Sequence, residues 1–211
     1  MHSIAIFGGS FDPIHNGHLQ VSVSIQHHFN FDSYIFLPCK TSTIKPPTLA
    51  NNGQRIEMIH LAIKDFPEFK MDLREIERPT PSYMVETLES FRAELPNDSI
   101  SLIMGYDAFL SLTRWHQWEK IITLSNLIII NRSEFSHFPP SKTMEKFLKE
   151  HQVIKKWELL NSKAGKVFLF DAGNYEISST SIREEIKKGA DVRKQLPEKV
   201  YHYIKCQELY Q

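Results

Sequence analysis

The 211-residue chain has 25 basic and 25 acidic residues, 41% hydrophobic residues and two cysteines. Zero formal charge excludes a broad electrostatic footprint for nucleic acid or an anionic membrane, and the length suits one α/β domain with a substantial core. Cys39 and Cys206 make neither a disulfide framework nor a cysteine zinc site, and no apolar run nears the ~20 residues that span a bilayer, so a cytoplasmic setting is expected.

The first informative stretch is Ile4-Ala5-Ile6-Phe7-Gly8-Gly9-Ser10-Phe11-Asp12-Pro13-Ile14-His15-Asn16-Gly17-His18. It reads as a buried strand, a glycine turn and the opening of a helix that carries two histidines. Adjacent glycines let backbone amides approach an anion, and a helix N-terminus aims free N–H groups at the same place. If Asn16 and Gly17 open the helix, His15 and His18 can reach one point beyond the strand. The glycine spacing is neither the dinucleotide fingerprint G-x-G-x-x-G nor a Walker loop. Asp12 is read as shaping the turn with Pro13 rather than binding metal.

Residues 18–29 are expected to be helical, because a crossover is needed to reach a second buried strand at 34–37. Residues 39–53 form a long loop on the same edge as the glycine turn, a length that often marks function. Residues 54–66, with Ile56, Ile59 and Ile63, read as an amphipathic helix, followed by a strand at 69–72. The loop 77–83 leads into a helix through Thr87, Leu88 and Phe91. Strands follow at 99–104, 127–130 and 167–170. Residues 135–165 read as a polar, lysine-rich helical insertion over one sheet edge, with no role assigned. Helices begin near Ile177 and at Leu196-Pro197. Alternating strands and helices predict a doubly wound parallel sheet, Rossmann-like, in one domain spanning 1–211, with a small helical part from about 177 and ligands at the carboxyl edge.

Three later groups carry chemistry. Ser178 to Arg183 reads as a helix N-cap and also as a second anion site of hydroxyls, amides and a guanidinium. Gly105-x-Asp107 at a strand end is either a turn or a carboxylate placed for ribose hydroxyls. Arg114-Trp115-His116-Gln117-Trp118 is too polar for a plain core strand and offers aromatic faces for stacking on a heterocycle.

The run from Gly8 to His18 matches G-G-x-F-D-P-x-H-x-G-H, and Ile177 to Arg183 matches I-S-S-T-x-x-R. Together they resemble the HxGH nucleotidyltransferase superfamily. With Thr80-Pro81-Ser82-Tyr83 and Gly105-x-Asp107 followed by Trp115, the chain is most similar to its nicotinate-nucleotide adenylyltransferase branch. The resemblance covers essentially the whole chain and implies transfer of AMP from ATP to nicotinate mononucleotide, giving deamido-NAD and pyrophosphate in NAD biosynthesis. It implies catalytic His15, His18, Lys45 and Arg183, with Lys40 competing with Lys45 because Ile44 stands where a His is frequent. ATP would be held by Gly8, Gly9, Ser10, Phe11, Gly105, Asp107, Ile177, Ser178 and Thr180. Nicotinate mononucleotide would meet Ser82, Tyr83, Met84, Trp115 and His116. Mg2+ is expected as part of the ATP substrate, with no protein metal site. No nucleic acid or membrane partner is expected, and a homo-oligomer stays open. Met84 and His116 replace the Thr and Tyr common in the branch, which leaves nicotinamide mononucleotide as an alternative acceptor. A non-catalytic nucleotide sensor is the rival outside enzymes.

Overall fold

The computed structural model describes residues 1–41, 44, 46–79, 81–131, 139–173 and 177–211. Among these, seven strands form one sheet: β1 (Ser3–Gly9), β2 (Ser33–Pro38), β3 (Phe69–Met71), β4 (Ser99–Gly105), β5 (Asn126–Asn131), β6 (Gln152–Val153) and β7 (Val167–Asp171). The order is β3-β2-β1-β4-β5-β7-β6, and every neighbouring pair is parallel. Parallel neighbours need crossovers, and helices supply them. These are α1 (Asn16–Phe29), α2 (Asn52–Ile63), α3 (Arg74–Glu77), α4 (Met84–Glu94), α5 (Tyr106–Leu110), α6 (Trp118–Leu124), α7 (Lys142–His151), α8 (Lys156–Leu160), α9 (Ser179–Lys187) and α10 (Glu198–Cys206).

The central strands are buried on both faces, and side-chain alternation divides them between two cores. Ala5, Phe7, Ile103, Ile128 and Ile130 face a cluster with Ile25 and Phe29 of α1, Met58 and Ile59 of α2, and Val200 and Ile204 of α10. Ile4, Ile6, Leu102, Leu127 and Ile129 face Leu88 and Phe91 of α4, Phe109 of α5, Ile121 of α6 and Phe147 of α7. Strand β5 shows why the sequence folds so: Leu127-Ile128-Ile129-Ile130 has no polar face to leave in water. Each such side chain contributes roughly 1.5–3 kcal/mol by burial.

The chain winds outward from β1 to β3, then returns to place β4 on the other side of β1. The order therefore reverses between β1 and β4, where a crevice opens at the carboxyl ends of doubly wound sheets. Gly9 and Gly105 end the two strands that flank it. The expected α/β class and parallel sheet are thus found.

Local differences have identifiable causes. Helix α1 begins at Asn16, the opening on which the convergence of the two histidines depends, because His15 takes the extended N-cap conformation. Helix α2 spans Asn52–Ile63 and starts in a reciprocal cap, in which Asn51 Oδ1 accepts from the Gln54 amide and Gln54 Oε1 from the Asn51 amide. Its buried stripe is Arg55, Met58, Ile59, Ala62 and Ile63, with Ile56 only half-buried. The region expected as a helical insertion contains α7 and α8, and also β6, whose two residues carry too little pattern to be read as a strand. Residues 135–138 of that reading lie outside the described residues. No helix among the described residues is long and apolar enough to cross a membrane.

Candidate active site

The site grows from the end of β1. The backbone turns sharply at Phe11, which takes a left-handed conformation (φ 47°) and is 2% exposed. Its ring packs edge-on against Phe7 at 5.7 Å and against His18 at 5.1 Å between centroids. A side chain so enclosed props the site from beneath, and only the Phe11 backbone is available to a nucleotide. Beside it, Gly8 and Gly9 pair in parallel with Leu37 and Pro38 of β2.

His15 and His18 stack with ring centroids 3.7 Å apart and planes inclined by 28°. The His15 backbone N–H donates to His18 Nδ1 at 3.2 Å. That bond requires a lone pair on Nδ1, so neutral His18 carries its proton on Nε2. His15 is 1% exposed, whereas His18 is half-buried. The stack needs Gly17: a Cβ there would lie 3.1 Å from the His15 ring and 3.5 Å from Ile177 Cβ. The same contact brings the first motif against the second.

The second motif opens α9, where Ser178 caps the helix by accepting from the Ser181 amide. It is stitched directly to the first. Ser179 Oγ donates to the Pro13 carbonyl at 2.9 Å, and Arg183 Nη1 donates to the Asp12 carbonyl at 2.7 Å. Arg183 Nη2 also reaches Thr180 Oγ1 at 3.3 Å. The result is a guanidinium, a hydroxyl-rich helix N-terminus and a histidine pair on one edge of the sheet, an arrangement suited to several phosphates at once.

Across the crevice, α5 opens at Gly105, and the Asp107 carboxylate folds back over that residue. A Cβ at Gly105 would meet Asp107 Oδ1, so the carboxylate can lie over this residue only while it has no side chain. Met84 reaches over the glycine turn, its Cε 3.0 Å from where a Gly8 Cβ would stand. Tyr83 and His116 come together with centroids 4.5 Å apart, while Trp115 packs half-buried on the second core. Trp118 departs from the expected aromatic face and lies against Phe147 of α7. Ser82 is turned inward: its Oγ accepts from the Lys40 amide at 2.9 Å and donates to Glu75.

That bond belongs to a buried brace. Glu75 accepts from Thr87 Oγ1 at 2.7 Å, and Thr87 in turn accepts from Arg78 Nη2 at 2.9 Å. Burial pushes the Glu75 carboxyl up from its ordinary value, against the lowering effect of its hydroxyl donors and Arg78. Lys40, the competitor to Lys45, spends its ammonium on the Arg78 carbonyl at 2.8 Å. Lys45 itself, and Thr80 of the substrate-loop motif, lie outside the described residues.

Two residues complete the scaffold, one that sequence reasoning passed over and one whose role it read too narrowly. Arg55 is fully buried and donates to the Ser10 carbonyl at 2.6 Å, the Cys39 carbonyl at 2.7 Å and Asn52 Oδ1 at 2.7 Å, joining the ends of β1 and β2. A cation on the apolar stripe of α2 was the available signal. Asp12, expected only to shape its turn, is a junction that accepts from the Leu49 and Ala50 amides and from Tyr210. Among the described residues no three His, Cys, Asp or Glu side chains converge on a metal site.

A cytidylyltransferase-like family model matches residues 6–185. A protein of Legionella pneumophila named "Probable nicotinate-nucleotide adenylyltransferase" is 56% identical over 211 residues, covering the whole of both chains. A protein of the same name from Methylococcus capsulatus is 33% identical over 208 residues, covering 98% of this chain and 99% of its own. The nicotinic acid mononucleotide adenylyltransferase of Plasmodium falciparum, complexed with NaAD, superposes with a TM-score of 0.75 at 24% identity, covering 100% of this chain and 98% of its own, a likeness of fold. With both motifs intact on one sheet edge and full-length identity of 56%, the chain belongs to the cytidylyltransferase-like family and, within it, to the nicotinate-nucleotide adenylyltransferases.

Proposed function

We propose that the chain transfers AMP from MgATP to nicotinate mononucleotide in the cytoplasm, by direct in-line displacement at the crevice between β1 and β4. A 5′-phosphate oxygen of the acceptor attacks the α-phosphorus of ATP. The new P–O bond forms as the bond to the bridging oxygen of the β-phosphate breaks, and pyrophosphate leaves with that electron pair. The attacking group is already an anion, so no enzyme nucleophile is needed, and catalysis reduces to positioning and charge stabilisation.

His18, protonated on Nε2, donates to the reacting phosphates beside His15. Arg183, Ser178 and Thr180, with the amides at the start of α9, take the departing pyrophosphate, and Lys45 closes on the developing charge. The amides of Gly8, Gly9, Ser10 and Phe11 line the approach, with Ile177 behind them. Asp107, held over Gly105, accepts from ribose hydroxyls. Tyr83, Met84, Trp115 and His116 form the acceptor side, with Ser82 bracing it through Glu75. Mg2+ would come with ATP, bound by phosphate oxygens and water, and would offset the triphosphate charge; no protein side chain is assigned to hold it.

The observation that carries this reading is the pair of bonds from Ser179 to Pro13 and from Arg183 to Asp12, which hold the two sequence motifs against each other on one sheet edge. The test is pyrophosphate release with MgATP and either nicotinate mononucleotide or nicotinamide mononucleotide, run side by side. Turnover that favours the acid is expected. Preference for the amide would overturn the acceptor assignment, and release with neither would overturn the reading.

A further inference from the structure

Asp12 is 4% exposed, and its carboxylate joins four segments of the chain. Its Oδ2 accepts from the Leu49 amide at 2.9 Å, and its Oδ1 from the Ala50 amide at 3.1 Å, both in the segment that enters α2. Tyr210 Oη, beyond the end of α10, donates to the same Oδ1 at 2.7 Å. Arg183 Nη1 lies 3.9 Å from Oδ2 while its strong bond goes to the Asp12 carbonyl. The carboxylate is thus close to Arg183 but is held in an orientation set by three other donors.

Tyr210 is itself well fixed. It takes a left-handed backbone conformation (φ 67°), packs half-buried on the first core, and follows a turn closed by the Leu209 amide on the Ile204 carbonyl. Burial and the adjacent Asp12 charge both raise the phenol above its ordinary value, so it remains a donor through the neutral range.

We infer that Tyr210 is a positioning residue for the polyphosphate of ATP: by satisfying Asp12, its hydroxyl keeps that carboxylate from capturing Arg183. Without the hydroxyl, one acceptor direction of a buried carboxylate loses its donor, with the Arg183 guanidinium 3.9 Å from its other oxygen. Rotation toward a direct, two-pronged pair draws the guanidinium away from the phosphates. The segment after α10 therefore sets how tightly the site grips the triphosphate. The inference rests on the role proposed for Arg183.

The test measures binding of α,β-methylene-ATP by calorimetry to the wild type, to Tyr210→Phe and to Tyr203→Phe. The last removes a phenol from α10, packed on the same core, that makes no bond to Asp12. Tyr210→Phe should weaken binding about 3- to 10-fold, the loss expected for one hydrogen bond, whereas Tyr203→Phe should match the wild type. In steady-state assays the loss should fall on KM for ATP and leave KM for the acceptor unchanged. Equal affinity of Tyr210→Phe and wild type for the analogue would overturn the inference, as would an equal loss in Tyr203→Phe, which would mark a merely structural effect. The comparison needs no turnover, so lack of activity with either acceptor would refute the proposed reaction without deciding this point. Failure of the wild type to bind the analogue would refute both.

Discussion

Gly105→Ala separates the placement of Asp107 from the stability of the fold. Gly105 sits at φ −70°, ψ 157°, a conformation alanine adopts freely, so no backbone strain is introduced. The added methyl instead meets Asp107 Oδ1, with Asp107 Cγ at 3.7 Å. The carboxylate is the free end of a half-buried side chain and can swing aside at little cost, while alanine restricts the unfolded chain and returns about 0.4–1 kcal/mol. Net stability should therefore change by less than about 1 kcal/mol. A carboxylate displaced from the ribose loses a charge-assisted hydrogen bond, about 1.5–3 kcal/mol, or roughly 10- to 100-fold in kcat/KM for ATP. The assay varies MgATP at saturating nicotinate mononucleotide, with Asp107→Ala in parallel and thermal unfolding as control. The two variants should show the same deficit. An unchanged KM for ATP in Gly105→Ala would refute a ribose role for Asp107, and a large fall in Tm would show that the methyl damages the fold instead.

Three further outcomes are expected. Replacing His18 by Ala should lower kcat by about 10²- to 10³-fold, the scale of one preorganised donor, while far-UV dichroism stays unchanged; undiminished turnover would remove His18 from the mechanism. Arg55→Lys keeps the charge but cannot span the Ser10 and Cys39 carbonyls, so urea unfolding should show a loss of about 1.5–3 kcal/mol, and an unaltered midpoint would contradict the bridging role. Glu75 has a pKa raised by burial above its unfolded value of 4.5, so its stabilising contribution is fully present below that pH and is lost as pH rises through the folded value. Relative to Glu75→Gln, which does not titrate, wild-type stability should decline from pH 4 toward neutrality; a difference that grows with pH would reverse the sign and refute the burial argument.

Most of the framework could be read because the signals that build it are local. The buried run of β5, the glycine turn after β1 and the serine cap of α9 each follow from a few adjacent residues, and the chemistry of each is visible in their types. Boundaries moved where a cap decided them, as at Asn51, whose reciprocal bonds with Gln54 start α2 earlier than its apolar pattern does. The two-residue β6 has no periodicity to detect and exists because β7 offers an unpaired edge. Trp118 was misplaced for a related reason: a tryptophan in a polar run fits either a ligand face or a neighbouring helix, and Phe147 of α7, 29 positions later, was the partner.

The site divides along the same line. Its contact groups lie in two compact motifs, but the bonds that hold those motifs together join residues far apart in sequence: Ser179 with Pro13, Arg183 with Asp12, and Tyr210 with Asp12. Nothing in a local window pairs them. Arg55 is the exception, since a cation at position 55 before Met58, Ile59 and Ala62 breaks an otherwise apolar stripe and demands buried acceptors. Those acceptors are the Ser10 and Cys39 carbonyls, at the ends of the strands that carry the glycine turn and the long loop. A charge on a helix face expected to be buried therefore locates the anchor of a phosphate site, and the same reasoning marks Asp12: a carboxylate inside an apolar turn that must find several donors from distant segments.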